Sequence, residues 1–381
     1  MNDIPLFHSL TTAAAQRRAL AVLASGWLGY GPQCLALERR FAGANDGWAL
    51  ATNSCTSALY LCALLCRANQ DDRDAPEVVV PTMTFISSAM AFAHAGYRVR
   101  VADVDPASLT LTAQTAAGLI TARTRAIVVV HLYGQRAPDL AALRALADRH
   151  GVALIEDCAH RIDLADAAPR LGDYACFSFN AVKELPGGEA GMLWARDPAL
   201  EARARAISNA GLGIDTMQRT ARMQHRDYRF SDETGLKLRS NDIAAALVLG
   251  ALDEWPAALL LRQRQFARYD ELLAPFAPDV VPMRRDANDS FLMYVVRARR
   301  RGPLREALAA RRIATSIHYP CLARHPHFAA DADPRASDER IDGTIVTLPT
   351  ALALTEESQQ RVAAAIADAP GFRAGMIRAA D

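Results

Sequence analysis

Between residues 48 and 155 short apolar runs alternate with helix-length segments, and this alternation limits the fold more than any other feature. Residues 48–51, 77–81, 97–104, 125–131 and 152–155 read as strands, bounded by turn-forming residues. Between several of them, residues 56–66, 84–95 and 139–150 carry helical apolar spacing. Repetition of strand and helix predicts an α/β fold with a mostly parallel central sheet wrapped by helices. Residues 242–273 form a long helical stretch that Pro256 bends or divides. Beyond it, strands are expected at 290–296 and 345–348 and helices at 302–311 and 355–367. A chain of 381 residues accommodates two or three domains. The expected division is a large domain over 1–250, with an N-terminal helical segment, and a smaller C-terminal α/β domain over 251–381.

The chemistry concentrates between Val152 and Leu193. The apolar run Val152-Ala153-Leu154-Ile155 ends in Glu156-Asp157-Cys158-Ala159-His160, so carboxylates stand at the C-terminal end of a buried strand. Open α/β sheets bind ligands along that edge. A second short strand, 175–179, leads into Lys183. Of the 43 basic residues only two are lysines, Lys183 and Lys237. Arginine replaces lysine on a solvated surface but forms no imine, because its guanidinium stays protonated. Each lysine is therefore a candidate for amine chemistry. An acid at one strand end and a lysine beyond the next suit pyridoxal 5'-phosphate. The acid keeps the pyridine nitrogen protonated, so the ring draws electrons, and the lysine holds the aldehyde as a Schiff base. Earlier, the turn Thr52-Asn53-Ser54 joins a strand to the helix 56–66. Such a turn offers free amides and the positive end of a helix dipole to a phosphate; a capped core helix fits this stretch equally well.

The segment Phe177-Ser178-Phe179-Asn180-Ala181-Val182-Lys183-Glu184-Leu185-Pro186-Gly187-Gly188-Glu189-Ala190-Gly191 resembles the lysine segment of the DegT-type nucleotide-sugar aminotransferases, fold type I pyridoxal-phosphate enzymes. Glu156 to His160 resembles their acidic strand end. Further matches occur in order along the chain: Gly31-Pro32, Asn53 to Leu59, Val80 to Phe85, His131-Leu132-Tyr133-Gly134-Gln135, His318-Tyr319-Pro320 and Leu348-Pro349. The resemblance implies a three-layer sandwich with a smaller C-terminal domain. It implies that Lys183, Asp157 and His160 are catalytic. It also implies that Cys55, Thr56 and Ser178 hold the cofactor phosphate and that Phe85 stacks on the pyridine ring. Lys237 would cross to the neighbouring subunit's phosphate in a homodimer with a shared active site. His318 and Tyr319 would face the substrate. Tyr30, in the turn between two N-terminal helices, either faces the substrate too or packs locally.

The implied reaction moves an amino group from glutamate or glutamine, through pyridoxamine 5'-phosphate, to a keto sugar carried on a nucleotide or to a related cyclitol ketone. Four departures from the family pattern stand out: Cys55 and Ala190 where glycine is usual, Arg161-Ile162-Asp163-Leu164 in place of a small-residue step, and Thr350-Ala351 where a histidine often follows Leu348-Pro349. The last two keep open a catalytically silent pyridoxal-phosphate-binding regulatory protein. A pyridoxamine-phosphate dehydratase of the same fold is a further alternative, but such enzymes replace the lysine by histidine and Lys183 argues against it.

Other classes find little support. A formal net charge of +1 gives no electrostatic reason to bind nucleic acid or an anionic membrane. No apolar run is long enough to span a bilayer, and the first residues lack the basic and apolar regions of a secretory signal. Seven cysteines scattered through apolar segments read as buried thiols of a reduced, cytoplasmic protein. No metal is expected: Cys62 and Cys66 lack further ligands, Asp103 and Asp105 precede Pro106 in a turn, and His325 and His327 have no acidic or thiol partner at metal spacing. No Gly-x-Gly-x-x-Gly follows the first strand, which argues against a nicotinamide-dependent oxidoreductase.

Overall fold

The computed structural model describes residues 3–9, 11–43, 47–67, 75–162, 170–214, 217, 228–337 and 339–372. Two helices, α1 (Ala13–Ser25) and α2 (Pro32–Ala42), precede the sheet. There follow β1 (Trp48–Thr52), α3 (Cys55–Cys66), β2 (Glu77–Pro81), α4 (Ser87–His94), β3 (Arg98–Ala102), α5 (Ala113–Ala117), β4 (Thr124–Val130), α6 (Leu140–His150), β5 (Ala153–Cys158), β6 (Tyr174–Ser178) and β7 (Gly191–Ala195). These strands form one seven-stranded sheet in the order β1-β7-β6-β5-β4-β2-β3. All neighbours run parallel except β7, which lies antiparallel between β1 and β6.

Every residue of β1, β2, β6 and β7 is buried, so helices cover both faces, as a mostly parallel sheet requires. On one face Leu59, Val80, Val128, Ile155 and Leu193 pack together; on the other, Phe41, Phe177, Trp194, Leu249 and Leu252 do so. After β7 come α7 (Glu201–Ile207) and α8 (Asp242–Asp253), and α8 is apolar nearly all round because it is enclosed on several sides. Gly250 lets α1 approach it: a Cβ there would lie 2.3 Å from the Cα of Ala15.

The helical stretch predicted to run to 273 breaks after Asp253. Pro256 sits in the first turn of α9 (Trp255–Leu273), where its missing N–H costs no intrahelical bond, and the two helices bend by 64°. Among the described residues no single helix is long and apolar enough to cross a membrane; this bent pair passes by length and composition only, and much of it is packed in the cores. Beyond α9, β8 (Val280–Pro282), β9 (Tyr294–Ala298) and β10 (Ile345–Leu348) form an antiparallel sheet of three strands. The helix α10 (Arg301–Ala310) lies between β9 and β10 in sequence, and α11 (Glu356–Ala367) follows β10. They share a core with α9 that includes Phe266, Tyr269, Tyr294, Leu304 and Ile366. Ile4 joins this second core and pairs with Ile313.

Two elements differ from expectation. The predicted helix at 84–95 begins only at Ser87, because residues 82–86 form the turn that lets Thr84 meet Ser88. The strand β7 is not among the expected strands: Gly191, the last residue of the matched lysine segment, opens a strand pressed against the start of α3. A Cβ at Gly191 would sit 2.5 Å from the amide nitrogen of Cys55.

Candidate active site

A cleft of about 330 Å³ opens at the C-terminal ends of β5 and β6, beside the N-terminal ends of α3 and α4. Cys55, Thr56, Phe85, Asp157, His160, Ser178, Lys183, His318 and Tyr319 all line it. Residues separated by as much as 264 positions in sequence thus converge because the parallel strands end on one edge and the C-terminal unit closes over it.

Lys183 lies in a turn after β6, fixed by its amide donating to the Asn180 carbonyl at 2.9 Å and by the Gly187 amide donating to Phe179 at 2.8 Å. Burial pushes its amine below the ordinary lysine range; the carboxylates of Glu184 and Asp157 oppose that shift. Asp157, near the end of β5, is buried. Its Oδ2 accepts from the Ser88 hydroxyl at 2.6 Å and its Oδ1 from the Ala159 amide at 3.0 Å. Burial raises its carboxyl above the usual range, and these two hydrogen bonds, with the charge of Lys183, hold it down.

His160 is also buried. Its Nδ1 accepts from the Tyr133 amide at 3.2 Å, so the neutral ring carries its proton on Nε2, which lies 3.0 Å from the Tyr319 hydroxyl. Burial, then the nearby Lys183 and His318, hold His160 well below the usual imidazole value. His318 is pushed down to about 4, mainly by burial, so both imidazoles are neutral near pH 7. Tyr319 stacks on His160 with ring centroids 5.8 Å apart and tilts against Phe85 at 5.6 Å. The Tyr133 hydroxyl donates to the His318 carbonyl and holds this segment in place. Phe85 is 54% exposed although it belongs to a cleft wall, which leaves a ring face open to a planar ligand.

The opposite end of the cleft is polar, and among the described residues its lining contains no side-chain cation besides Lys183. Ser54 caps α3 by accepting from the Ser57 amide at 3.1 Å. The amides of Cys55 and Thr56 stand at the helix start, where the macrodipole favours an anion. The exposed Thr56 hydroxyl lies 2.9 Å from that of Ser87, and Ser178 is close by on the same wall. Cys55 is buried with its thiol 3.9 Å from Asp157; burial and that carboxylate push the thiol well up, so it stays protonated.

Tyr30 and Lys237 do not reach this cleft within one chain. They line a separate groove with Trp27, Asn209 and Arg239. The Tyr30 hydroxyl donates to Glu38 at 2.6 Å and accepts from Arg205 at 2.9 Å. Lys237 donates to Asn209 at 3.1 Å. Of the divergent loop after His160, Arg161 is buried and bonded to Gly134, Asn288 and Asp289, whereas residues 163–169 lie outside the described residues. Sequence reasoning gave no role to Ser88, which carries no local signal, or to Tyr133, which stands in the matched segment His131 to Gln135; they act on Asp157 and His160 through space. His131, Glu156 and Cys158 each bring a potential ligand atom within 4.8 Å of the others. The imidazole and carboxylate are already committed: His131 bonds Glu156 and the Ala137 amide, and Glu156 accepts from Leu171 and Gly172.

The profile of the DegT/DnrJ/EryC1/StrS aminotransferase family matches residues 10–367. A dTDP-4-dehydro-2,3,6-trideoxy-D-glucose 4-aminotransferase from Saccharopolyspora spinosa is 32% identical over 332 residues, 83% of this chain and 84% of that protein. The crystal structure of the aminotransferase TlmJ from Streptoalloteichus hindustanus superposes with a TM-score of 0.85 at 29% identity, over 96% of this chain and 98% of that one. That of the sugar aminotransferase CalS13 from Micromonospora echinospora gives 0.82 at 28% identity, over 95% and 99%.

Proposed function

From the premise that the chain belongs to the DegT/DnrJ/EryC1/StrS aminotransferase family, we propose that it is a pyridoxal-phosphate-dependent aminotransferase acting on a nucleotide-linked keto sugar. Glutamate or glutamine serves as amino donor. The cleft fits the cofactor by the chemistry of its groups: a buried carboxylate, an amine of depressed basicity, an open aromatic face and a helix start ringed with hydroxyls share one cavity. When bound, pyridoxal phosphate supplies a protonated pyridine ring that accepts electron density from the donor's α-carbon.

Each residue has a defined part. Asp157 holds the proton on the pyridine nitrogen, with Ser88 and the Ala159 amide favouring its charged form. Phe85 covers one ring face. The Cys55 and Thr56 amides, the Thr56 hydroxyl and Ser178 grip the phosphate. The Lys183 amine would hold the cofactor aldehyde; once the donor's amino group displaces it, its lowered basicity would raise the fraction available as a neutral base for the proton on the donor's α-carbon. His160, neutral and fixed by Tyr133, hydrogen-bonds the ring's phenolic oxygen or packs beside it. His318 and Tyr319 approach the substrate from the C-terminal unit.

Among the described residues the cleft lining offers the phosphate no cation besides Lys183, whereas the separate groove brings Lys237 and Arg239 together with no carboxylate among its described lining residues. This complementarity supports a homodimer in which Lys237 of one copy faces the phosphate end of the other copy's cleft. All seven cysteines are free thiols, which supports a reducing, cytoplasmic setting.

The observation that carries this reading is the presence of Asp157 and Lys183 in one cleft, each with its pKa displaced by burial. Borohydride reduction of protein loaded with pyridoxal phosphate, followed by peptide mapping, tests it. The adduct is expected on Lys183; it should vanish in Lys183→Ala and persist in Lys237→Ala. An adduct on Lys237 alone, or none, overturns the assignment. Glutamate or glutamine added to the loaded protein should release the corresponding 2-oxo acid; cofactor that stays bound and inert would favour the silent regulatory protein.

A further inference from the structure

His160 and Tyr319 stand side by side in the cleft, and the direction of the hydrogen bond between them is fixed from its far end. The contacts start at the Tyr133 amide, 3.2 Å from Nδ1 of His160. A backbone N–H only donates, so Nδ1 is bare and the ring's one proton sits on Nε2. Nε2 lies 3.0 Å from the Tyr319 hydroxyl, which therefore accepts. A phenol that accepts still has its own proton to place. Among the described residues no other group bonds the Tyr319 hydroxyl, so that proton has no acceptor there. Burial, then the charge of Asp157, pushes the phenol above its ordinary range, and the hydroxyl stays protonated.

The direction holds only if the amide cannot turn away, and the turn that carries it is gripped from several sides. Tyr133 has a φ of 62°, a conformation that a tyrosine keeps only where its surroundings impose it. The Gly134 carbonyl accepts from the Arg161 guanidinium at 3.1 Å and from the Ser290 amide at 3.0 Å. The Tyr133 carbonyl accepts from the Met293 amide at 3.3 Å, and the Tyr133 hydroxyl donates to His318. Arg161 in turn reaches the Asn288 carbonyl at 2.9 Å and Asp289 at 3.2 Å. Two consecutive side chains, His160 and Arg161, thus hold one turn, and the divergent Arg161 helps to aim the Tyr133 amide.

We propose that the Tyr319 hydroxyl is a hydrogen-bond donor of fixed direction, held by the series Tyr133 amide, His160 and Tyr319 for an acceptor oxygen of the ligand in the cleft. The inference rests on the reading of the cleft as a pyridoxal-phosphate site. Two oxygens there have the required chemistry: the phenolic oxygen of the cofactor ring and the carbonyl oxygen of a substrate. His160 has a single N–H, and Tyr319 accepts it, so the hydrogen bond that this pair gives a ligand leaves from Tyr319. The series cannot reverse, because its first member is an amide with no lone pair to offer. Tyr319 thus differs from a tyrosine whose hydroxyl turns freely: its acceptor side is taken by the protein and its donor side is left to the cleft.

Two measurements test this. In cofactor-free protein with isotope-labelled histidine rings, nitrogen NMR should show His160 with a proton on Nε2 and a bare Nδ1; its signal is the one missing from His160→Gln. A proton on Nδ1 overturns the proposal, and this readout needs neither cofactor nor a Tyr319 variant. The second measurement compares wild type with Tyr319→Phe, which keeps the ring between His160 and Phe85 and removes the hydroxyl alone. Binding of pyridoxal phosphate is set against binding of an analogue with hydrogen in place of the phenolic hydroxyl. A roughly tenfold loss for pyridoxal phosphate and none for the analogue supports the proposal and assigns the donor to the phenolic oxygen. Unchanged binding of both, with a roughly tenfold slower reaction of pyridoxamine-phosphate-loaded protein with 2-oxoglutarate, supports it and assigns the donor to the substrate carbonyl. An equal loss for both ligands, or no change in either arm, in folded Tyr319→Phe overturns it and leaves the hydroxyl a packing group. Failure of the cofactor reading is seen separately, as a borohydride adduct that survives Lys183→Ala.

Discussion

Asp157 must stay charged in a place that opposes its charge. Burial raises its carboxyl, and two short hydrogen bonds, from Ser88 and Ala159, are the main local compensation. Only the Ser88 bond can be removed by a side-chain substitution. Ser88→Ala should weaken pyridoxal phosphate binding at least roughly tenfold, since a hydrogen bond to a charged group contributes about 1.5–3 kcal/mol. Spectral titration of the cofactor-free protein reads this directly. The pH sign follows from the raised carboxyl: the charged form is lost as pH falls through the folded value, so affinity should fall toward acid pH, and in Ser88→Ala it should begin to fall at a higher pH. Unchanged affinity in a folded Ser88→Ala would mean that Asp157 does not grip the ring. At this scale the sequence is legible where residue type carries the chemistry. Lys183 stands out in a chain almost without lysine, and Asp157 in an apolar strand. Ser88 does not: it is an ordinary helix serine, and the carboxylate it serves lies 69 positions away.

Strands and helices follow from apolar spacing, because a strand covered on both faces must be apolar throughout and an enclosed helix nearly so. That signal fixes neither direction nor neighbour. It predicts the parallel strands and leaves out β7, which returns antiparallel through the middle of the sheet and brings Gly191 against the first turn of α3. The same contact ties the loop of Lys183 to the helix start assigned to the phosphate. Gly191→Ala is therefore expected to act on both. Its Cβ would meet backbone atoms of Ser54 and Cys55 at 2.4 and 2.5 Å, and backbone yields less readily than the end of a side chain. A cost of about 1–3 kcal/mol is expected from overpacking. Thermal melting should show the lost stability, and the folded fraction should bind inorganic phosphate and pyridoxal phosphate more weakly. Wild-type affinity for both would separate β7 from the phosphate end of the cleft.

At the scale of the whole molecule, the cleft draws on distant parts of the chain: the large sheet and the turn after it supply Asp157 and Lys183, and the segment between α10 and β10 supplies His318 and Tyr319. Even so, among the described residues one chain brings no cation besides Lys183 to the cleft lining and leaves Lys237 in a separate groove. Nothing in a single sequence tells whether two distant segments meet within one chain or across two, since both arrangements obey the same local rules. Subunit mixing distinguishes them. Lys183→Ala and Lys237→Ala should each be nearly inactive alone, the first for want of the amine and the second through a weakened grip on the phosphate. Unfolded together and refolded, they should form mixed dimers in which one site combines the intact Lys183 of one chain with the intact Lys237 of the other. The second site of such a dimer lacks both. With random pairing, half the dimers are mixed, and activity should recover to about a quarter of wild type. If each Lys237 served the cleft of its own chain, every site in the mixture would lack one lysine and mixing would restore nothing.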